Sequence, residues 1–196
     1  MSKLKIAVIL GSTRPGRKGA QVAEWVLESA KATRTDADFE LIDLADFDLP
    51  LLDEPKPASS GIYEHEHTRT WSAAIDRFDG FIFVTPEYNH LPPASLVNAI
   101  NFLHREWNDK AAAIVSYGAS ASGLRAAEVL RLMLSESHLA HVRQTVAFSL
   151  IHDFENFSDI RPSALHEKHL DTMLDQLVAW GTALHGIRER KLPVAA

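Results

Sequence analysis

Runs of apolar residues alternate with amphipathic segments along the whole chain, and this alternation constrains the fold more than any other feature. The runs at Leu4–Leu10, 80–85 and 111–116 are apolar almost without a break, which is typical of parallel strands buried on both faces. The segments between them carry apolar residues at the spacing of a helix that packs on one side. The sequence therefore predicts an α/β fold in which helices cover both faces of a parallel sheet.

The predicted elements fit a single domain that spans residues 1–196. The pattern predicts strands at 4–10, 39–44, 80–85, 111–116 and 141–148, and helices at 18–33, 63–78, 93–104, 123–137 and 163–188. The proline-rich segment 49–61 is expected to be an exposed loop. Because crossovers between parallel strands are right-handed, the five strands favour a doubly wound sheet of order 2-1-3-4-5. Ligands of such a sheet bind at the carboxyl ends of strands 1 and 3.

The composition excludes several classes of protein. Without cysteine, the chain has no disulfide, thiolate nucleophile, iron–sulfur cluster or cysteine-bound zinc. A formal charge of −6 offers no basic surface to nucleic acid, and no stretch approaches the roughly 18 apolar residues that a membrane span needs. The amino-terminal apolar run is too short for a signal peptide. We expect a cytoplasmic protein with neither nucleic acid nor a membrane as its partner.

The loop after the first predicted strand, GSTRPGRKG, has the composition of an anion site. It opens a predicted helix, where unpaired amides and the helix dipole favour negative charge. Ser12 and Thr13 add hydroxyl donors, and Arg14 can bind two phosphate oxygens as a fork. A Walker A loop does not fit, because Arg17 and Lys18 stand where it needs Lys followed by Ser or Thr, and the G-x-G-x-x-G fingerprint is absent. An ordinary turn with solvated cations is the alternative.

Two further loops follow strands 3 and 4 and are expected at the same edge of the sheet. The first, TPEYNHLPP, is stiffened by three prolines and offers polar groups and one ring through Glu87, Tyr88 and Asn89. The second, SYGASASGLRA, consists largely of small residues around Tyr117, which lets the backbone approach a flat ligand. Three loops that converge on one crevice suit a planar heterocycle with a phosphate tail.

These three loops carry a resemblance to a known family. The motifs GSTRPGRKG, TPEYNHLPPASLVNAINFLHREW and VSYGASASGLRAAEVLR are similar to those of the NAD(P)H-dependent FMN reductases, which include many quinone, chromate and azo-dye reductases. The resemblance covers approximately residues 3–134, and the middle motif is the most specific. It implies a three-layer flavodoxin-like fold, FMN as cofactor, and NADPH or NADH as co-substrate.

The resemblance also implies the site residues, position by position. The FMN phosphate would be surrounded by Ser12, Arg14, Arg17 and Gly19. The isoalloxazine ring and ribityl chain would be bordered, largely through main-chain groups, by Pro86, Glu87, Tyr88 and Asn89, and the far side of the ring would be closed by Ser116, Tyr117 and Gly118. The chain departs from the family twice: Gly19 stands where many members have serine, which removes one phosphate donor, and Ala119 stands where others have a second glycine.

The activity that the resemblance implies is an oxidoreductase in which hydride passes from NAD(P)H to FMN. Electrons then pass to a small acceptor, such as a quinone, free flavin, an azo compound or a metal oxyanion, and alternating ligands predict ping-pong kinetics. Because the cofactor carries the chemistry, no catalytic nucleophile or general base is required, and none stands out. A flavodoxin-type electron carrier without its own NAD(P)H oxidation is the alternative. A phosphorylated receiver domain would need an acidic cluster after strand 1, where the sequence has Gly11-Ser12-Thr13.

The other conspicuous residues have structural interpretations. The ten histidines are expected to be solvated or half-buried, and no metal site is predicted. On a helix, His65 and His67 would point to different sides. Trp71, Trp107 and Trp180 are expected in the core or in subunit contacts. The family commonly forms a dimer contact after its third helix, so the resemblance implies a homodimer, or a tetramer made of two dimers.

Overall fold

The computed structural model describes residues 3–189, and the ends of the predicted domain, 1–2 and 190–196, lie outside the described part. The strands are β1 (Leu4–Leu10), β2 (Ala37–Asp43), β3 (Gly80–Pro86), β4 (Lys110–Gly118) and β5 (Leu139–Ser149). The helices are α1 (Gly19–Thr33), α2 (Glu66–Asp76), α3 (Ala94–Asn101), α4 (Leu124–Glu136) and α5 (Ala164–Glu189). Among the helices of this part, none is long and apolar enough to cross a membrane.

The five long strands form one parallel sheet in the predicted order, β2-β1-β3-β4-β5. At the end of β1, Leu10 lies between Asp43 of β2 and Val84 of β3. Farther along the sheet, Pro86 of β3 lies opposite Tyr117 of β4. Because all five strands run the same way, the loops after β1, β3 and β4 leave from one edge and become neighbours.

The sheet divides the core into two layers, because successive side chains of a strand point to opposite faces. On β1, Ile6 and Val8 pack with residues of α1 and α5. The intervening Ala7 and Ile9 pack with residues of α2, α3 and α4. This arrangement confirms the predicted three-layer, doubly wound α/β fold.

Two of the three tryptophans assigned to core or subunit contacts are in the core. Trp71 and Trp107 are 1% and 0% exposed, and their indole N–H groups donate to the carbonyl oxygens of Ala99 and Ile100 in α3, at 2.8 and 3.1 Å. Trp180, on α5, is 48% exposed and does not belong to the core of this chain. A role for Trp180 in a subunit contact stays a prediction.

Some element boundaries differ from those predicted. Helix α2 begins at Glu66, three residues later than predicted, because the backbone of His65 is still extended. Pro93 precedes α3 as its cap instead of opening it. The two-residue strands β6 (Phe154–Glu155) and β7 (Asp159–Ile160) form a hairpin that was not predicted. Strands of this length are too short to show a period of two.

The expectation that His65 and His67 point to different sides was wrong. Their rings stack, with centroids 5.2 Å apart and an interplanar angle of 11°, because His65 precedes α2 and only His67 lies within it. An Asp53 oxygen lies 3.0 Å from Nε2 of His67. Across residues 3–189, no group of three or more histidine and carboxylate side chains could hold a metal ion.

The proline-rich segment 49–61 is irregular, as predicted, apart from one 3₁₀ turn at Ala58–Ser60. The Glu54 carboxylate accepts hydrogen bonds from the amides of Glu64 and His65, at 2.8 and 3.0 Å. Burial opposes the charge of Glu54, but these hydrogen bonds outweigh it and lower its pKa to about 2. Glu54 thereby anchors the segment to the start of α2.

Candidate functional site

The loops after β1, β3 and β4 enclose a cleft of about 180 Å³ at the carboxyl edge of the sheet. It is lined by Arg14, Arg17, Lys18, Pro86, Glu87, Tyr88, Tyr117, Gly118, Ala119 and Leu150. Seven of the eleven residues predicted to bind a ligand are among them. The other four, Ser12, Gly19, Asn89 and Ser116, belong to the same loops but do not line the cleft. Leu150, which follows β5, was not predicted.

The start of α1 is open to a ligand. Lys18 precedes the helix, no side chain caps its amides, and its first turn contains no acidic residue. The amide dipoles therefore favour an anion at this point. Within this loop, Ser12 is fully buried, and its hydroxyl lies 3.0 Å from the hydroxyl of Tyr88. This hydrogen bond joins the first loop to the second.

The three cations of the first loop have different surroundings. Arg17 forms an ion pair with Asp43 at the end of β2, and the Lys18 ammonium donates to the Ser158 hydroxyl at 3.3 Å. Arg14 is exposed, has no ionic partner within residues 3–189, and holds its guanidinium carbon 5.9 Å from the centre of the Tyr88 ring. Asp43 was missed, although it ends the strand beside β1 and the sheet order places it at this edge. Arg14 is the loop cation that is most available to a ligand.

The second loop is held mainly by its own backbone. The amide of Glu87 donates to the carbonyl oxygen of Tyr117 at 3.2 Å, and Tyr88 and Leu91 exchange backbone hydrogen bonds of 2.9 and 3.0 Å. Asn89 has a positive φ of 52°, which asparagine tolerates better than most residues. The amides of Glu87 and Tyr88 are therefore used within the protein. The Tyr88 ring and the exposed Asn89 side chain remain available to a ligand.

The Glu87 carboxylate joins the second loop to the third. It accepts hydrogen bonds from the Arg125 amide at 3.2 Å and from Arg125 Nε at 2.6 Å, at the start of α4. Burial opposes the charge, but the Arg125 guanidinium and the amides of Arg125 and Ala126 outweigh it and lower the pKa of Glu87. Glu87 is thus a charged anchor of the loop. Its partner Arg125 was not predicted.

The backbone of the third loop lies close to the cleft because most residues of this loop are small. The Ser116 hydroxyl donates to the carbonyl oxygen of Ser122 at 2.8 Å, so it closes the loop on itself. A Cβ atom on Gly118 would lie 2.8 Å from the amide nitrogen of Gly123, so a larger residue would displace the backbone at position 118. Ser116 and Gly118 therefore shape the loop beside the cleft.

Tyr117 lines the cleft with only a small part of its side chain. Its side chain points into the layer formed with α1 and α5 and is 4% exposed. A Cβ atom added to Gly19 would lie only 2.6 Å from the Tyr117 hydroxyl oxygen. The tyrosine oxygen thus lies beside position 19, which has no side-chain oxygen of its own. Among the described residues, this hydroxyl has no hydrogen-bond partner.

A second hollow, of about 280 Å³, lies on the other side of the first loop. Its walls are Thr13, Leu44, Ala45, Asp48, Leu49, Ser95, Asn98 and Ala99. Only one of the three predicted loops contributes to it, and no cationic side chain lines it. The cleft between all three loops is therefore the better candidate.

The chemistry of the cleft is that of a binding site for an anion joined to a flat group. Glu87 is the one carboxylate among its lining residues, it is paired with Arg125, and no histidine lines the cleft. A phosphate would suit three features of this cleft: the uncapped start of α1, the exposed Arg14 and the Tyr117 hydroxyl, which lacks a partner within residues 3–189. The Tyr88 ring and Gly118 border the space beside these features. The described residues fit a phosphorylated heterocycle better than an acid–base reaction centre.

Comparison with known proteins supports this interpretation. Residues 4–153 match the family described as NADPH-dependent FMN reductase. An NAD(P)H-dependent FMN reductase of Schizosaccharomyces pombe is 46% identical over 121 residues, which cover 61% of this chain and 60% of the relative. A 2-hydroxy-1,4-benzoquinone reductase of Burkholderia sp is 28% identical over 198 residues, covering 96% of this chain and 99% of that enzyme. The chain thus spans about 60% of the length of the fungal relative.

Solved structures share the fold. FerB, a flavoenzyme NAD(P)H:(acceptor) oxidoreductase from Paracoccus denitrificans, has a TM-score of 0.70 and 20% identity, covering 92% of this chain and 98% of FerB. The apo form of the NADH:FMN oxidoreductase EMOB has a TM-score of 0.66 and 23% identity, covering 89% and 90%. At these identities the likeness shows the fold alone.

Proposed function

The chain belongs to the NADPH-dependent FMN reductase family, and we propose that it binds FMN in the cleft between its three loops, oxidises NAD(P)H, and reduces a small acceptor of the quinone class. The acceptor class is supported by the 2-hydroxy-1,4-benzoquinone reductase that aligns along almost its whole length. Free flavin, azo compounds and metal oxyanions, which the resemblance also implies, are the further acceptors that we propose.

One observation carries the proposal: the cleft combines an uncapped helix start with an exposed arginine that has no ionic partner in the described chain. A phosphate monoester binds well at such a point, because the amides donate hydrogen bonds and the guanidinium forms charge-assisted ones. Arg14 would hold the phosphate from the solvent side, and Arg17, which is paired with Asp43, would border it. The ring system would then extend toward Tyr88 and Gly118.

The residues of this chain position the ligands and do not themselves transfer protons. FMN, when bound, supplies the redox chemistry by accepting hydride from NAD(P)H and passing electrons to the acceptor. The Ser12–Tyr88 hydrogen bond and the Glu87–Arg125 pair hold the loops in register. Because the pKa of Glu87 is lowered, this carboxylate stays charged at neutral pH and serves as an anchor, not as an acid. Orientation of the reactants is the protein's contribution.

We propose that donor and acceptor use the same open face of the bound flavin in turn. We therefore expect ping-pong kinetics, with parallel lines in double-reciprocal plots when NADPH and a benzoquinone are both varied. A ternary complex containing donor and acceptor together would contradict this part of the proposal.

The experiment that tests the activity is anaerobic reduction of the FMN-loaded protein. NADPH should bleach its visible absorption, and a benzoquinone added afterwards should restore the absorption while it is reduced. A protein that retains FMN but oxidises NADPH no faster than free FMN would be an electron carrier, and the proposed reductase activity would be wrong. A protein that takes up no FMN at all would overturn the binding site as well.

The assembly and the cellular location are part of the proposal. We propose a homodimer or a tetramer of two dimers, in the cytoplasm. Trp107 is fully buried in its own chain, so a dimer contact after α3 would use other side chains. Sedimentation velocity across a range of concentrations measures the assembly directly, and a monomer at every concentration would contradict it.

A further inference from the structure

We propose that the Tyr117 hydroxyl is a ligand of the FMN phosphate and makes the site selective for phosphorylated flavin. The inference rests on the proposed function, because it assigns one more residue to the same cleft. Tyr117 would act as a phosphate donor from beneath the first loop instead of closing the far side of the ring.

The Tyr117 hydroxyl lies beside the first residue of α1. Tyr117 is the last side chain of β4 that points into the α1 layer, after Ala113 and Val115. Its ring reaches under the start of α1, and its oxygen fills the space that a side chain on Gly19 would need. Gly19 therefore allows the tyrosine oxygen to stand beside the first amides of the helix.

The Tyr117 hydroxyl also lacks a partner within residues 3–189. The Tyr117 oxygen is buried and makes no hydrogen bond of full geometry among the described residues, although the Ser12 hydroxyl and the Gly19 amide lie close enough to offset part of the rise in its pKa. Native proteins rarely leave a buried hydroxyl without a partner. Tyr88 offers a contrast at the same edge, because its hydroxyl is already bonded to Ser12 at 3.0 Å. An anion at the start of α1 would supply the acceptor that Tyr117 lacks.

The protonation state of Tyr117 suits this role. Burial and the neighbouring Tyr88 raise the pKa of Tyr117 far above its ordinary value, so the hydroxyl keeps its proton and donates to a dianion. The oxygen is shielded from solvent, so the phosphate reaches it only when the loop above it adjusts. Thr13, Arg14 and Gly16 of that loop are exposed and lie outside the packed core.

The test compares FMN with riboflavin, which has the same ring and ribityl chain but no phosphate. Apoprotein is titrated with each flavin by calorimetry, for wild type, Tyr117→Phe and the control Tyr63→Phe. Tyr63→Phe removes a half-buried hydroxyl that donates to Glu106 at 2.9 Å, in another part of the fold. Tyr117→Phe should weaken FMN binding about tenfold or more and leave riboflavin binding unchanged. Tyr63→Phe should change neither.

Unchanged FMN affinity in Tyr117→Phe, or equal weakening of both flavins, would overturn the inference while leaving the proposed function standing. Wild-type protein that binds neither flavin would overturn the proposed function itself. If Tyr117→Phe does not fold, Gly19→Ala replaces it, because the added Cβ would lie 2.6 Å from the hydroxyl oxygen and 2.8 Å from the Leu10 side chain, and the tyrosine would have to move. That variant should also weaken FMN more than riboflavin, and equal weakening would again contradict the role of Tyr117.

Discussion

At the scale of single residues, Arg14 and Arg17 look equivalent in the sequence but not in the structure. Both follow a buried strand, and both were predicted to surround a phosphate. Arg17 shares its charge with Asp43, whereas Arg14 is exposed and has no ionic partner within residues 3–189. The sequence alone could not separate them, because Asp43 is distant along the chain and becomes a neighbour only through the pairing of β1 with β2.

The Arg14→Ala substitution tests this difference. Charge-assisted hydrogen bonds contribute about 1.5–3 kcal/mol, so FMN should bind at least about tenfold more weakly to the variant. Titration of the apoprotein measures the affinity, and Arg143→Ala, at an exposed arginine of β5, serves as the matched control. Equal FMN affinity in Arg14→Ala and wild type would show that Arg14 does not hold the phosphate.

At the scale of elements, the site depends on how β3 and α4 are joined. The Glu87 side chain is 7% exposed and contacts both the amide and the guanidinium of Arg125. A carboxylate at a helix start is stabilised by the helix dipole as well as by the hydrogen bonds. This pair therefore fixes the distance between the second and third loops, and with it the width of the cleft.

Glu87→Gln should destabilise the fold by about 1 kcal/mol at pH 7, measured by urea unfolding. The pKa of Glu87 is lowered below the ordinary glutamate value of 4.5, so the carboxylate stabilises the fold above pH 4.5 and loses this effect as the pH falls through its folded pKa. The difference between variant and wild type should therefore shrink below pH 4.5. Glu40→Gln, at the more exposed pair with Arg77, should change stability less. A difference between Glu87→Gln and wild type that stays constant with pH would contradict this role of the charge.

At the scale of the whole molecule, the architecture was predictable and the finer contacts were not. Apolar runs such as Leu4–Leu10 predict strands directly, and right-handed crossovers then leave few sheet orders. The direction of the Tyr117 side chain follows from the alternation along β4, but which layer it enters depends on the packing of α1 and α5. The β6–β7 hairpin and the stacked His65 and His67 depend on short segments whose conformation the neighbouring elements determine.

The most direct measurement for the whole molecule is a crystal structure of the protein with FMN. We predict the phosphate at the start of α1, within hydrogen-bond distance of Arg14 and the Tyr117 hydroxyl, and the ring between the Tyr88 loop and Gly118. FMN bound elsewhere, or bound in the cleft with its phosphate away from α1, would contradict the assignment of this edge of the sheet as the flavin site.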